Sequence, residues 1–101
     1  MPILDTKMGV DKLEHCASVL KAIAHPLRIA IIELLEEHSK LSVSEIYEKL
    51  NVEQAVASHH LGILKNKGVL VSHREGKNMR YELKHHQISR IIEIMEQCGK
   101  I

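Results

Sequence analysis

Apolar residues recur every three or four positions through the first third of the chain, which predicts amphipathic helices there. The first helix begins near Asp11, whose side chain can cap it. His25-Pro26 separates it from the second helix, because proline disfavours helix at the residue before it and suits the first turn of the next one. The second helix ends in the polar stretch 36–40.

A short third helix and a longer fourth one follow. Ser42 or Ser44 can cap the third helix, and Asn51 ends it because asparagine tolerates the left-handed backbone conformation. The fourth helix covers about residues 54–67, and Gly68 ends it. The pattern therefore predicts two helices joined by a tight turn.

A hairpin and a last helix complete the pattern. The runs 69–74 and 79–84 have strand-like composition around the turn 75–78, and an apolar stripe from Ile88 predicts the final helix. The order ααααββα is mainly α with one β-hairpin. Two helices with a tight turn, followed by a hairpin, are typical of a winged helix-turn-helix.

Length and composition indicate one globular domain. The chain has 101 residues, 45% of them hydrophobic and 27% charged. We expect residues 1–10 to form an N-terminal arm and residues 11–101 a single DNA-binding and dimerisation domain. Two Tyr are the only aromatic residues, so the predicted core is aliphatic and a stacking platform for single-stranded nucleic acid is disfavoured.

Targeting signals are missing from the sequence. No apolar run approaches the roughly 18 residues of a membrane span. The first ten residues lack the basic start and long apolar stretch of a secretory signal, and two cysteines do not make a disulfide scaffold. We therefore expect a cytoplasmic protein without a membrane partner.

Positive charge is concentrated in the middle of the chain. Residues 51–81 carry five Lys/Arg and two Asp/Glu, a net charge of +3, whereas residues 1–50 carry six against eight, a net charge of −2. Residues 82–101 carry three of each sign. A local basic surface is expected of a nucleic-acid binder, although a solvated face of mixed charge explains the same count equally well.

The fourth helix has the residues expected of a helix that reads the DNA major groove. Gln54 can hold adenine with two hydrogen bonds, Ser58 can donate or accept, and the Ala55 methyl group can touch a thymine methyl. His59 shares this polar face, and Lys65 lies further along for a phosphate. We predict that these residues contact DNA.

The hairpin is predicted to contact DNA as well. It presents Arg74, Lys77, Asn78 and Arg80, which suit phosphates or an adjacent minor groove, although a merely soluble turn would look similar. His60, one helical turn from two apolar positions, is instead interpreted as a packed, internally bonded histidine.

Three segments together resemble the ArsR/SmtB family of bacterial repressors: KAIAHPLRIAIIELL at 21–35, LSVSEIYEKL at 41–50 and QAVASHHLGILKNKGVLVSHREGKNMRYEL at 54–83. The resemblance extends from about Leu13 to Cys98. It implies a homodimer through the first and last helices, a palindromic double-stranded DNA operator, and repression relieved by an inducer. Glu53 departs from the family, which usually has a serine capping the recognition helix.

The metal sites of that family are incomplete here. Its third-helix site uses Cys-x-Cys, where this chain has Ser42-Val43-Ser44. Its last-helix site needs four ligands, and neither His85 nor His86 starts a register that supplies them. We therefore predict no metal and no cofactor.

Cys16 and Cys98 form a candidate redox pair. The resemblance brings the first and last helices together across the dimer, and some relatives sense oxidants or reactive sulfur through two cysteines. In those relatives the partner thiol usually lies on the second helix, where this chain has Ile31 and Ile32. Buried cysteines also serve as small apolar residues, and a metal site built from these thiols and His15 has too few ligands.

Two other functional classes are open to comparison. A winged-helix dimeric scaffold without specific DNA binding is the alternative, but the polar, basic face of the fourth helix disfavours it. An enzyme is disfavoured because no glycine-rich phosphate loop, serine elbow or Cys-His nucleophile pair is present.

Overall fold

Five helices and three strands follow one another along residues 7–99, the part of the chain that this computed structural model describes. Most of the predicted arm, residues 1–6, lies outside the described residues. The elements are α1 (Val10–Ile23), α2 (Pro26–His38), β1 (Leu41–Ser42), α3 (Val43–Leu50), α4 (Gln54–Asn66), β2 (Leu70–Glu75), β3 (Asn78–Leu83) and α5 (Ile88–Cys98). The predicted winged helix-turn-helix order is confirmed, with one additional strand.

The first two helices begin differently from the prediction. Asp11 was predicted to cap α1, but it lies inside the first turn, and the cap is Gly9 with a φ of 82°. Glycine adopts this conformation without a steric penalty, so the chain enters the helix two residues before Asp11 would cap it. At α2, the Nδ1 atom of His25 accepts a hydrogen bond from the Leu27 N–H at 3.1 Å and caps the helix.

The third helix is held by a reciprocal capping box. The Glu45 N–H donates to Ser42 Oγ at 3.2 Å, and the Ser42 N–H donates to Glu45 Oε1 at 2.9 Å. Of the two serines predicted as caps, Ser42 therefore is the cap. Asn51 ends the helix in the left-handed conformation, with φ 55° and ψ 48°, as predicted.

The strand β1 was not predicted, and it makes the sheet three-stranded in the order β1-β3-β2. Leu41 pairs with Tyr81 and Ser42 with Arg80. Two residues are too few to produce an alternating pattern, so only the pairing with β3 reveals the strand. It attaches the start of α3 directly to the wing.

The hairpin has a two-residue loop. Glu75 pairs with Asn78, which leaves Gly76 and Lys77 as the connection. Gly76 has a φ of 66° at the first loop position, as a type II′ turn requires. The strands were predicted at 69–74 and 79–84 and lie one residue from those bounds.

The core is entirely aliphatic, as predicted. Twelve side chains form it: Ile23, Ile31, Ile32, Leu35, Leu41, Ile46, Leu61, Leu64, Val69, Leu70, Ile88 and Ile92. They come from all five helices and from the sheet, so the wing and the helix-turn-helix share one core. Within residues 7–99, no helix is both long and apolar enough to cross a membrane.

Replacing Ser42 by Ala should lower the free energy of unfolding by about 1 kcal/mol, because α3 loses its capping side chain. Urea unfolding followed by circular dichroism measures the loss. Ser44→Ala is the matched control, because Ser44 is exposed and lies within the helix; we expect a change within about 0.5 kcal/mol. Equal losses in the two variants would contradict the capping role.

Candidate nucleic-acid interface

Helix α4 has one buried face and one solvent-facing face. Ala57, Leu61 and Leu64 are fully buried, as the spacing predicted. Ala55 and His59 project from the opposite face and are exposed. The helix therefore packs on the core along one stripe and leaves its other side to solvent.

All five residues predicted to read DNA from this helix are exposed: Gln54, Ala55, Ser58, His59 and Lys65. Glu53 stands at the cap position and makes no side-chain hydrogen bond to the helix. The first-turn N–H groups of α4 therefore have no side-chain cap, and they can donate hydrogen bonds to an anionic group such as a phosphate.

Two further features of α4 were not predicted. Val56 is 40% exposed near the start of the helix, where it adds an apolar contact point beside Ala55. Gly62 lies on the solvent side one turn after Ser58, and a Cβ atom built there would meet nothing within 4 Å. No contact among residues 7–99 requires a glycine at that position. Because Gly62 has no side chain, a ligand backbone can approach the solvent side of α4 closely.

His60 connects α4 to the junction between α1 and α2. It is 8% exposed, and its Nδ1 atom accepts a hydrogen bond from Arg28 Nε at 3.0 Å. The same guanidinium donates through Nη1 to the carbonyl oxygen of Ala22 at 2.9 Å. The predicted packed role of His60 is confirmed. Arg28 was missed, because no local pattern marks a contact between residues 32 positions apart.

A small cluster of rings surrounds His60. The rings of His25 and His60 lie 4.5 Å apart between centroids, and those of His59 and His60 lie 5.1 Å apart. Burial, followed by the nearby His25, Arg28 and His59, lowers the pKa of His60 below its ordinary value of 6.5. Since Nδ1 accepts the arginine hydrogen bond, the neutral ring carries its proton on Nε2.

Three of the four predicted wing residues are freely exposed. Lys77 lies in the hairpin loop, and Arg74 and Asn78 lie on the strands next to it. Within residues 7–99, no carboxylate forms an ion pair with Arg74 or Lys77. Both cations can therefore meet a phosphate without breaking a contact in the protein.

Arg80 differs from the other predicted wing residues. Its Nη1 atom lies 3.2 Å from Glu45 Oε1, and its Nε atom lies 3.7 Å from Glu75 Oε1. It occupies the body of β3 opposite Ser42 and not the hairpin tip. Arg80 joins the wing to the start of α3, and its charge is balanced inside the chain.

Glu45 takes part in both the cap and the ion pair. The Ser42 N–H, followed by the Ser42 hydroxyl, lowers the pKa of Glu45, and Arg80 and Lys49 act in the same direction. Glu45 is therefore ionised at neutral pH, which the bond to Arg80 requires. This carboxylate links the capping box to the wing.

The two cysteines are free thiols in different environments. Cys16 is half-buried on α1 and Cys98 is exposed at the end of α5. Across residues 7–99, no three His, Cys, Asp or Glu side chains gather closely enough to hold a metal ion. Of the histidines considered as metal ligands, His85 and His86 are both exposed.

The sequence matches known regulators. Residues 25–72 match the family model described as bacterial regulatory protein, arsR family. A "Uncharacterized HTH-type transcriptional regulator" of Methanocaldococcus jannaschii is 32% identical over 87% of this chain and 99% of its own length. The transcriptional repressor PagR of Bacillus anthracis is 33% identical over 91% of this chain and 92% of its own length.

Solved structures agree with these sequence matches. The crystal structure of PagR superposes with a TM-score of 0.77 over 84% of this chain and 97% of that one. A homodimeric winged helix-turn-helix DNA-binding domain from Mycobacterium bovis superposes with a TM-score of 0.78. It is 26% identical, and the match covers 87% of this chain and 81% of that one.

Fold stability should fall as the pH drops below about 6.5, the ordinary pKa of histidine. As the pH falls, His60 takes up a proton in the unfolded chain before it does so in the folded chain, because its pKa is lowered in the folded state. The contribution of His60 to the free energy of unfolding is therefore complete above its unfolded-state pKa. It is lost as the pH falls toward its folded-state pKa. Urea unfolding at about pH 7.5 and about pH 5.5 measures the loss, and both conditions stay above the ordinary pKa of 4.5 for Glu45.

His60→Gln should lose less stability than the wild type between these two pH values, because residue 60 no longer titrates. His86→Gln is the control, since this exposed histidine is not among the groups that shift the pKa of His60. It should lose as much stability as the wild type. An equally steep loss in His60→Gln would show that another group causes the pH dependence.

Proposed function

The chain belongs to the arsR family of bacterial regulatory proteins, and we propose that it is a repressor that binds a palindromic double-stranded DNA operator as a homodimer. Within that proposal α4 enters the major groove and the hairpin lies along the neighbouring backbone or minor groove. A repressor that binds chromosomal DNA in a bacterium acts in the cytoplasm, and we propose that location for this protein. An inducer then releases it from the operator.

One observation carries the proposal: the solvent side of α4 presents short polar side chains, with its other side buried. Gln54, Ser58 and His59 are exposed, and all lie in the first half of the helix. Base edges are reached by the N-terminal residues of a recognition helix, and Gln and Ser have the donors and acceptors for them. Ala55 and the exposed Val56 suit thymine methyl groups.

Phosphate contacts are assigned to cations that form no ion pair among residues 7–99. Lys65, Arg74 and Lys77 are exposed, and Asn78 adds a neutral donor at the hairpin. We reassign Arg80 from a phosphate contact to an anchor of the wing, because its guanidinium is already paired with two carboxylates. Such a paired cation contributes less to the field that attracts DNA.

Dimerisation is proposed through apolar strips on α1 and α5. On α1 the strip contains Leu13, Cys16 and Leu20, and Leu20 is 53% exposed. On α5 the 64% exposed Ile94 lies one turn from Cys98. Large apolar side chains at this spacing on two helices are costly in water, and burying them against a second copy removes that cost.

The inducer is proposed to act without the two usual metal sites of the family, since neither has its ligands in this chain. Cys16 and Cys98 lie on the two apolar strips, so dimerisation brings the two strips, and with them the thiols, together. A disulfide forms between two thiols when a two-electron oxidant removes both hydrogen atoms, provided the Cα atoms lie within about 7 Å. We propose that such oxidation is one route of release.

Gln54→Ala or Ser58→Ala should weaken binding to the preferred operator by about 1–3 kcal/mol and relax its sequence preference. The measurement is fluorescence anisotropy with the duplex upstream of the protein's own gene and with a scrambled duplex. Lys21→Gln is the control, because this exposed lysine lies on α1. Unchanged affinity in both α4 variants would refute the major-groove assignment, and equal binding of both duplexes by the wild type would favour a scaffold.

Lys77→Gln should weaken binding to both duplexes by a similar factor, because a phosphate contact carries no base information. Its slope of log affinity against log salt should decrease in magnitude by about 2 relative to the wild type, because each dimer loses two lysines. Titration at several salt concentrations tests this, with Lys21→Gln retaining the wild-type slope. A loss confined to the operator duplex would contradict the phosphate assignment.

Diamide should convert the wild-type dimer to a covalent dimer and release it from DNA, with diamide itself reduced to the hydrazine. Cys98→Ser should remain non-covalent and DNA-bound, which non-reducing gels and mobility shifts can detect together. Thiols that stay open to alkylation after diamide treatment would exclude the switch. A covalent dimer in Cys98→Ser would assign the bond to two copies of Cys16.

A further inference from the structure

A cleft of about 380 Å³ lies on the side of the molecule away from the start of α4. Its walls are the inner side of α1, the carboxyl end of α4, and the segments that lead into β2 and α5. The lining residues are His15, Val19, Asn66, Lys67, Gly68, Val69, Lys84, His85 and Ile88. The volume is in the range of small-molecule sites in proteins.

The lining has nitrogen donors and no carboxylate. Lys67, Lys84, His15 and His85 contribute two ammonium groups and two imidazoles, and Asn66 contributes an amide. Lys67 Nζ donates to Ser18 Oγ at 2.7 Å, and no carboxylate among residues 7–99 lies within ion-pair distance of either lysine. In a chain with a net charge of only +1, this is a local excess of uncompensated positive charge.

The floor of the cleft is apolar. Val69 and Ile88 are buried and Val19 is half-buried. A cleft with cations at its rim and aliphatic side chains below matches a molecule with an acidic head and a small apolar body. A metal ion does not fit, because two ammonium groups would repel it.

The cleft and the proposed dimer face use different residues of α1. His15 and Val19 line the cleft, whereas Leu13, Cys16 and Leu20 form the apolar strip. Around the helix, His15 is about 160° from Leu13 and Val19 is about 100° from Leu20. The cleft therefore lies beside the strip, close to the proposed dimer contact.

The cleft is also far from the base-reading residues. Helix α4 has 13 residues, so its ends are about 18 Å apart at 1.5 Å per residue. Gln54 is at the first end and Lys67 caps the second. The basic residues of the cleft are therefore out of reach of the operator bases.

We propose that this cleft binds a small organic anion, a carboxylate or phosphate monoester with an apolar body. The anion takes Lys67 and Lys84 as its counter-ions and rests on the apolar floor. Because Lys67 then turns from Ser18 to the anion, ligand binding loosens the contact between α1 and α4. The regulatory consequence rests on the proposed function, whereas the binding itself does not.

The test is a ¹H–¹⁵N NMR titration of the full chain without DNA, using benzoate and phenyl phosphate as probes and neutral benzamide as the comparison. We expect amide shifts concentrated at residues 66–69 and 84–88 for the two anions and not for benzamide. A preference for one of the anions identifies the acidic head. Scattered shifts, or equal binding of benzamide, would overturn the proposal.

The double variant Lys67→Gln with Lys84→Gln should bind the preferred anion at least about tenfold more weakly, because two charged hydrogen bonds are lost. Lys21→Gln with Arg90→Gln removes the same charge from exposed positions outside the cleft and should bind like the wild type. Lys84→Gln alone provides the same comparison if loss of the hydrogen bond between Lys67 and Ser18 lowers stability. If both double variants bind the anion equally weakly, net charge alone explains the loss and the proposed site is wrong.

Operator affinity measured in the absence of any anion tests the alternative that the cleft lysines contact DNA phosphates. Lys84→Gln, which keeps the hydrogen bond between Lys67 and Ser18, should bind DNA as Lys21→Gln does. A selective loss of duplex affinity in Lys84→Gln would assign this lysine to a DNA phosphate and refute the anion site. Because anion binding is measured without DNA, its result can be interpreted even if the repressor proposal fails.

Discussion

Three side chains on one stripe of α4, those of Ala57, Leu61 and Leu64, are completely buried in the aliphatic core. The orientation of every other residue of the helix follows from this burial. Rotating the helix by one residue, about 100°, would expose this stripe and bury polar side chains without partners. The polar face of α4 is therefore defined by the packing of its apolar face.

Hydrogen bonds at the edge of the core restrict the relative orientation of the elements, which apolar contacts alone do not. Arg28 joins His60 on α4 to the end of α1, and Glu45 joins the capped start of α3 to Arg80 in the wing. Apolar packing tolerates small rotations, whereas these bonds need particular distances and angles. An unpaired partner at such a half-buried site costs about 1–3 kcal/mol, so each link also resists being opened. The two helices of the helix-turn-helix and the hairpin consequently keep one arrangement.

Helix α1 takes part in three separate surfaces. Its outer strip, with Leu20, is the proposed contact with a second copy. A neighbouring side of the helix lines the basic cleft through His15 and Val19, and the Ala22 carbonyl in its last turn accepts a hydrogen bond from Arg28 of α2. A ligand in the cleft and a change at the dimer contact would both act on α4 through this helix. Coupling of this kind needs only that the two events favour different positions of α1 relative to α4.

The sequence by itself determined the order of the helices, the hairpin and the exposed residues of α4, because helical period, capping and turn residues act over a few positions. It also determined that His60 packs inward, since that residue lies one turn from Ala57 and Leu64. Tertiary structure alone decided the features that depend on distant residues. The strand β1 exists only through pairing with β3, Arg28 meets His60 across 32 positions, and Arg80 meets Glu45 across 35. The basic cleft likewise collects residues 15 to 88 from separate elements. Local patterns carry no information about such contacts, because they arise only when packing of the aliphatic core brings the elements together.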